Sequence, residues 1–192
     1  MRLFRRFARD RKGAVAVEMA MVGPPFLLVM LALLDFGQTL LTQSVLDGAA
    51  RDAARLIRTG QVQSSGSPIT TFQTLLCSDM STLMSTATCD SDVLFEVQTF
   101  SSFGSVSFTS CTYNNNGTGT GTKCAFSPGN AGQIIGVQVS YARPYIVPWV
   151  GACLTGGNCW TSAFMKSSSA QGTQTTTLMS TVIFQNEPFG SS

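Results

Sequence analysis

No histidine occurs anywhere in the 192-residue chain. That absence removes a Ser-His-Asp triad and any histidine-ligated metal site before a fold is considered. Charge is nearly as scarce, at 11% of residues, so few titratable groups are on hand for acid–base work. With 44% hydrophobic residues, the balance is nonetheless far from that of a disordered chain. None of the six cysteines belongs to a CxxC pair, which argues against zinc. Asp90 and Asp92 lack the glycine and the bidentate glutamate that complete an EF-hand loop. Lys166 beside Ser167 to Ser169 reads as a solvated lysine in a polar loop rather than a catalytic dyad. No catalytic residue, metal site or cofactor is therefore expected.

What charge there is lies unevenly. Residues 1–12 carry six basic side chains (Arg2, Arg5, Arg6, Arg9, Arg11 and Lys12) against Asp10 alone, a net of +5. The remainder carries six basic and nine acidic side chains, a net of −3. A basic arm of this kind either neutralises nucleic-acid phosphates or marks the cytoplasmic flank of a membrane segment. Residues 14–34 decide between them: Glu18 is their only charge, and 21 residues of helix span roughly 31 Å, enough to cross the hydrocarbon core. Nucleic acid is not an expected partner. A cleaved secretory signal fits poorly, because the run is long, carries Glu18 and ends in Leu33, Leu34 and Asp35 without a small-x-small pattern.

All six cysteines (Cys77, Cys89, Cys111, Cys124, Cys153 and Cys159) follow that run, on what the basic flank makes the exported, oxidising side. Six cysteines allow 15 connectivities. Short loops close at lower entropic cost, which favours the neighbours Cys77–Cys89, Cys111–Cys124 and Cys153–Cys159.

Beyond the apolar run a helical pattern continues. Phe36, Leu40, Val45, Ala49, Ala53 and Ile57 recur at steps of four or five, with Gln43, Asp47, Arg51, Arg55 and Arg58 on other faces. Asp47 and Arg51 form an i,i+4 pair; Arg55 and Arg58 suit the helix end, and Gly60 suits its stop. One helix from about Ala14 to Thr59 is thus expected, with Gly23, Pro24 and Pro25 kinking it or leaving carbonyls unpaired. A polar linker, Gln61 to Ser67, precedes a short helix over Ile69–Leu76 with Ser67 as N-cap and Pro68 at its first position. Alternation then predicts about four antiparallel strands: around Phe95, Val97 and Thr99; Val106 and Phe108; Ile135 to Tyr141; and Thr175 to Phe184. Asn114 to Thr122 reads as a loop tip between two cysteines. The fold class is α+β: a long N-terminal transmembrane and amphipathic helix packed on a small, disulfide-stabilised antiparallel sheet.

The most informative residues are Lys12, Gly13 and Glu18. A carboxylate inside an apolar helix costs about 2.5–3.5 kcal/mol on insertion scales, so its presence calls for a partner. Lying a turn from the basic flank, Glu18 has Arg11 and Lys12 as one local option. The arrangement of a basic stretch, Gly13, an apolar run and Glu18 five residues on also resembles the processing site of type IV prepilins. The stretch GAVAVEMAMVGPPFLLVMLALLDFGQTLL with AARDAARLIRTG, and the later VSYARPYIVPW and VIFQNEPFG, resembles the TadE-like family of the tight-adherence (Flp) pilus machinery. The likeness is strong over residues 10–60, moderate over 133–190 and absent between. Met19 departs from the aromatic residue frequent after the motif glutamate.

The resemblance implies a pilin-like fold and a non-enzymatic minor pseudopilin needed to assemble such pili or the related secretion machinery, and so for cell adhesion. A prepilin peptidase would cut after Gly13, making Ala14 the first residue and Glu18 the fifth. Glu18 would pair with the new α-amino group of a neighbouring subunit, in a helix shaped by Pro24 and Pro25. Expected partners are inner-membrane lipid, the peptidase, other pilins or pseudopilins and the inner-membrane assembly platform. The expected divisions are a cytoplasmic leader over 1–13, a transmembrane helix over 14–35, a periplasmic helical extension over 36–60 and a periplasmic domain over 61–192. A signal-anchored receptor or adhesin, and a membrane-tethered hydrolase, are the alternatives; the first would tolerate loss of Glu18, and the second needs a titratable cluster. Glu187 is either a partner contact or a cap before Pro188. Tyr145, Trp149 and Val150 either cover the core or form a docking edge.

Overall fold

The computed structural model describes residues 11–109, 111–112, 122–146 and 175–189. Helix α1 runs without interruption over Arg11–Arg58. Pro24 and Pro25 lie inside it; lacking N–H groups, they leave the carbonyls of Ala20 and Met21 without the usual i+4 donors. The helix stops through a Schellman motif. Gly60, at φ 79°, donates to Ile57 O (3.1 Å), and Gln61 donates to Leu56 O (3.0 Å). The side chain of any other residue at this φ would be strained, and a Cβ here would lie 2.5 Å from the Phe189 ring.

Two compact units divide the chain: residues 1–39 with 144–174, and 40–143 with 175–192. In the first unit, α1 is bare on nearly all sides from Val15 to Leu34. In the second, α1 buries Thr42, Leu46, Ala49, Ala50, Ala53, Ala54 and Ile57. These positions follow the 3.6-residue period. The expected stripe does not: each step of four overshoots a full turn by about 40°, so Phe36 and Leu40 end up exposed while Thr42 and Leu46 are buried. Nor do Asp47 and Arg51 pair; Asp47 Oδ1 accepts from Gln43 Nε2, one turn earlier (3.1 Å).

The second unit continues with α2 over Pro68–Asp79, a 3₁₀ turn over Met80–Thr82, and α3 over Thr86–Asp92. Pro68 occupies the first turn of α2 as expected, but the Ser67 hydroxyl makes no capping bond. The unanticipated α3 is capped instead by Ser85, whose Oγ accepts from Thr88 N (3.2 Å). The Cys77–Cys89 disulfide ties α2 to α3.

Strands β1 (Val93–Phe100), β2 (Ile134–Pro144) and β3 (Thr175–Gln185) form an antiparallel sheet in the order β1-β2-β3. The register of β1 on β2 sets Phe95 opposite Val139 and Val97 opposite Val137. Those residues and Leu178 of β3 meet the alanine-rich face of α1 and Phe72 and Leu76 of α2 in one core. Phe72, Phe95 and Phe126 pack there with ring centroids 5.1–6.0 Å apart. The free edge of β1 is covered at its centre: Val97 N donates to Ala125 O and Ser127 N donates to Val97 O.

The fourth expected strand is not one. Residues 103–105 form a 3₁₀ turn, and the alternating Val106 and Phe108 join no ladder. Phe108 instead stacks edge-on against Phe100 (5.7 Å), over Gly136, where a Cβ would meet both rings. A chain crossing a sheet face alternates buried and exposed residues just as a strand does, which is why the pattern misleads. The second disulfide joins Cys111 to Cys124, and Thr112 N donates to Thr122 O (2.8 Å), closing the base of the intervening loop. The tip of that loop, the Cys153–Cys159 pair, Trp149, Val150 and Lys166 to Ser169 lie outside the described residues.

Candidate functional site

Three features of α1 concentrate the chemistry. The first is its bare N-terminal half. It is long and apolar enough to cross a membrane, and its most apolar stretch is unburied. The helix is apolar all round: Val15, Val17, Met19, Met21, Val22, Phe26 and Leu27 are all exposed. Glu18 projects from this surface as its single carboxylate, with no hydrogen bond or ion pair among the described residues. Gly13 and Ala14 fall within the first turn of the same helix. Pro24 and Pro25 follow on exposed positions two turns later.

The second feature closes the apolar run. Leu33, Leu34 and Phe36 are each about 60% exposed, yet Asp35 between them is only 3% exposed. Its Oδ1 accepts a hydrogen bond from the Ile146 backbone N–H (3.3 Å), and Thr39 Oγ1 donates to its carbonyl (2.8 Å). The chain just beyond β2 therefore returns to the helix at Asp35.

The third feature is the end of α1, where the Asn-Glu-Pro-Phe segment closes over it. Glu187 N donates to Arg58 O (3.0 Å), and its carboxylate meets Arg58 Nε at 3.1 Å. Both side chains are more than half exposed, so this ion pair adds at most about 1 kcal/mol. Asn186 contributes more. It is 3% exposed, and its Nδ2 donates to Pro128 O (3.0 Å) and Asn130 O (3.1 Å). Its backbone exchanges bonds with Gln133 O and Gly132 N. Phe189 covers Gly60. The Glu187 carboxylate thus meets Arg58 and caps no turn before Pro188 among the described residues.

The supposed linker after α1 belongs to this clasp. Val62 is fully buried, and Gln63 Nε2 donates to Ile57 O (3.0 Å), Pro128 O (2.9 Å) and Gly129 O (3.3 Å). Sequence reasoning passed over Gln63, because a glutamine in a Ser/Gly-rich stretch carries no local sign of burial. It also passed over Glu96, which is 2% exposed on β1 and accepts from Gln98 Nε2.

Remaining acidic groups are scattered. Asp90 accepts from Gln73 (3.0 Å), while Asp92 accepts from Ser91 (2.8 Å). Among the described residues no cluster of three or more Cys, Asp or Glu could hold a metal. Asp79, at the end of α2, has its pKa raised from the ordinary aspartate value by burial and, secondarily, by Asp52. Tyr141 is raised by burial, with Asp92 adding to the effect and Arg143 opposing it.

Residues 13–55 match the family model of TadE-like proteins. This stretch resembles TadE-like proteins. The match begins at Gly13, takes in Glu18, both prolines and Asp35, and ends one turn short of the end of α1. It spans less than a quarter of the 192 residues, leaving the sheet, both disulfides among the described residues and the C-terminal clasp outside. No curated protein and no solved structure matched the chain. The family points to involvement in Tad-pilus-related assembly, and the bare apolar helix is a candidate membrane anchor.

Proposed function

We propose that the protein is a minor pseudopilin: a non-enzymatic, single-pass subunit that assists assembly of tight-adherence pili or the related secretion machinery. The observation that carries this reading is Glu18, a lone carboxylate on an all-round apolar helix, inside a TadE-like stretch that opens at Gly13. In this reading the basic arm stays in the cytoplasm, residues 14–35 cross the inner membrane, and the helical extension and disulfide-bonded domain stand in the periplasm.

Assembly follows from the electrostatics of the anchor. Cleavage after Gly13 removes the basic arm and leaves an α-amino group at Ala14. In hydrocarbon neither that cation nor Glu18 is stable alone, and each has a favourable partner on the next subunit. The carbonyls freed by Pro24 and Pro25 soften the helix between that contact and Asp35. The partners are the prepilin peptidase, other pilins or pseudopilins and the assembly platform of the inner membrane.

The test is the N-terminal mass of the protein from membranes with and without the peptidase. A chain beginning at Ala14 only when the peptidase is present supports the reading. An intact Met1–Lys12 arm in both samples overturns it and leaves a permanently anchored scaffold.

A further inference from the structure

If α1 crosses the bilayer, the depth of every residue bonded to it is fixed by its position along the helix. The apolar run ends at Leu34, and Asp35 is one residue, about 1.5 Å of rise, further on. The Ile146 N–H reaches Asp35 Oδ1 at 3.3 Å, so the backbone of Ile146 lies at the level where hydrocarbon gives way to headgroups. Leu31, Ala32 and Thr39, a turn to either side on the same helix face, are half-buried, while Leu33, Leu34 and Phe36 remain bare. The cover is local to Asp35. The Ile146 side chain is 52% exposed, an apolar group turned outward at that depth, with Tyr145 half-buried beside it. In sequence the next three residues are Val147, Pro148 and Trp149.

We propose that the chain meets the bilayer twice, the second time through Tyr145–Ile146 at the headgroup–acyl boundary, tethered there by Asp35. The inference rests on the membrane reading of α1. Lipid is the occupant the position favours, because the exposed Ile146 is bonded to the helix between the bare Leu34 and Phe36 and lies within the depth at which Tyr, Trp and aliphatic groups partition. The tether also explains a carboxylate at the end of the run. Facing lipid, Asp35 would need snorkelling or a water defect; bonded to the returning backbone, it is satisfied in place. A helix held at one contact is free to slide and tilt, whereas two contacts fix its height in the membrane.

The experiment uses the full chain with Trp149→Phe and Trp160→Phe, which removes both native tryptophans, reconstituted in phosphatidylcholine vesicles containing lipid brominated either near the headgroup or near the chain centre. Ile146→Trp in this background should lose most of its fluorescence to the shallow bromines and little to the deep ones. Phe26→Trp, in the middle of the apolar run, serves as the control and should show the reverse preference. Adding Asp35→Ala to the Ile146→Trp protein should abolish the shallow quenching. Quenching of the Phe26→Trp protein but not of the Ile146→Trp protein overturns this proposal while leaving the anchor intact. Blue-shifted emission from the Ile146→Trp protein that bromine does not quench overturns it too, assigning the contact to protein instead of lipid. If neither variant is quenched, the membrane reading itself fails. Shallow quenching that survives Asp35→Ala overturns the tether.

Discussion

The side-chain amide of Asn186 is the sharpest test of how the end of α1 is held. Its Nδ2 donates to two backbone carbonyls, Pro128 O at 3.0 Å and Asn130 O at 3.1 Å, in a site where only 3% of the residue is exposed. Replacing Asn186 with Ala removes both bonds and leaves two carbonyls facing an apolar methyl group. At about 0.5–1.5 kcal/mol for each bond, the expected loss is about 1–3 kcal/mol. Asn186→Asp is the stricter variant, because a carboxylate oxygen would then face two carbonyl oxygens. At neutral pH it should be less stable than the alanine variant. Burial and the two carbonyl dipoles would raise the pKa of the introduced carboxyl in the folded state above its unfolded value. The folded protein then binds the extra proton more tightly, and stability recovers as pH falls. Urea titration with pulse proteolysis of the full chain in lipid nanodiscs reads these differences; with m near 1–3 kcal/mol/M, the midpoint for the alanine variant should fall by roughly 1 M. An alanine variant within about 0.5 kcal/mol of the parent, a range usual for surface substitutions, would refute the reasoning. So would an aspartate variant as stable as the parent at neutral pH.

Three further outcomes follow from the same structure. Glu18→Leu should abolish pilus assembly while the protein remains in the membrane fraction at an unchanged level, since Glu18 supports no contact among the described residues; normal piliation would remove Glu18 from the mechanism. Replacing Cys77 and Cys89 together with alanine opens a loop of sequence separation 12 and should lower the urea stability by about 2–4 kcal/mol; reductant, which also opens Cys111–Cys124, should lower the parent chain by more. Because Asp79 has its pKa raised by burial and by Asp52, the folded state holds its proton more tightly than the unfolded state. Stability should therefore decline as pH rises from the ordinary carboxylate range through that raised value, and Asp79→Asn should flatten the slope in a pH series of unfolding midpoints.

How much of this was legible in the sequence depends on how far apart the partners lie. The long helix was readable from its own residues: the apolar run needs no partner to be recognised, and Gly60 marks the stop because only a left-handed residue completes the Schellman motif. The pairings Cys77–Cys89 and Cys111–Cys124 join cysteines 12 and 13 residues apart, within reach of a loop-entropy argument. The buried stripe of α1 was less readable, because apolar residues surround the helix near its middle. Which of Phe36, Leu40, Thr42 and Leu46 turns inward is settled by where the sheet lies, and a polar Thr42 is buried while two large apolar side chains are not. Val106 and Phe108 misled for a related reason, since alternation reports only that one side of an extended chain is covered.

The candidate sites divide along the same line. Gly13 and Glu18 stand out because a charge in an apolar run is anomalous wherever the chain goes next. Asn186 and Gln63 do not, because their burial is created by carbonyls at positions 128–130, some 56–66 residues distant. Asp35 lies between the two cases. Its charge at the end of the run is visible in the sequence, yet one partner that holds it there is a backbone N–H 111 residues away. A carboxylate that merely ended a membrane span would be free to face water, and burying it would then cost energy without return. Its bond to Ile146 is therefore better understood as a structural attachment than as a boundary mark, which is why the depth of Ile146 is the measurement that bears on it most directly.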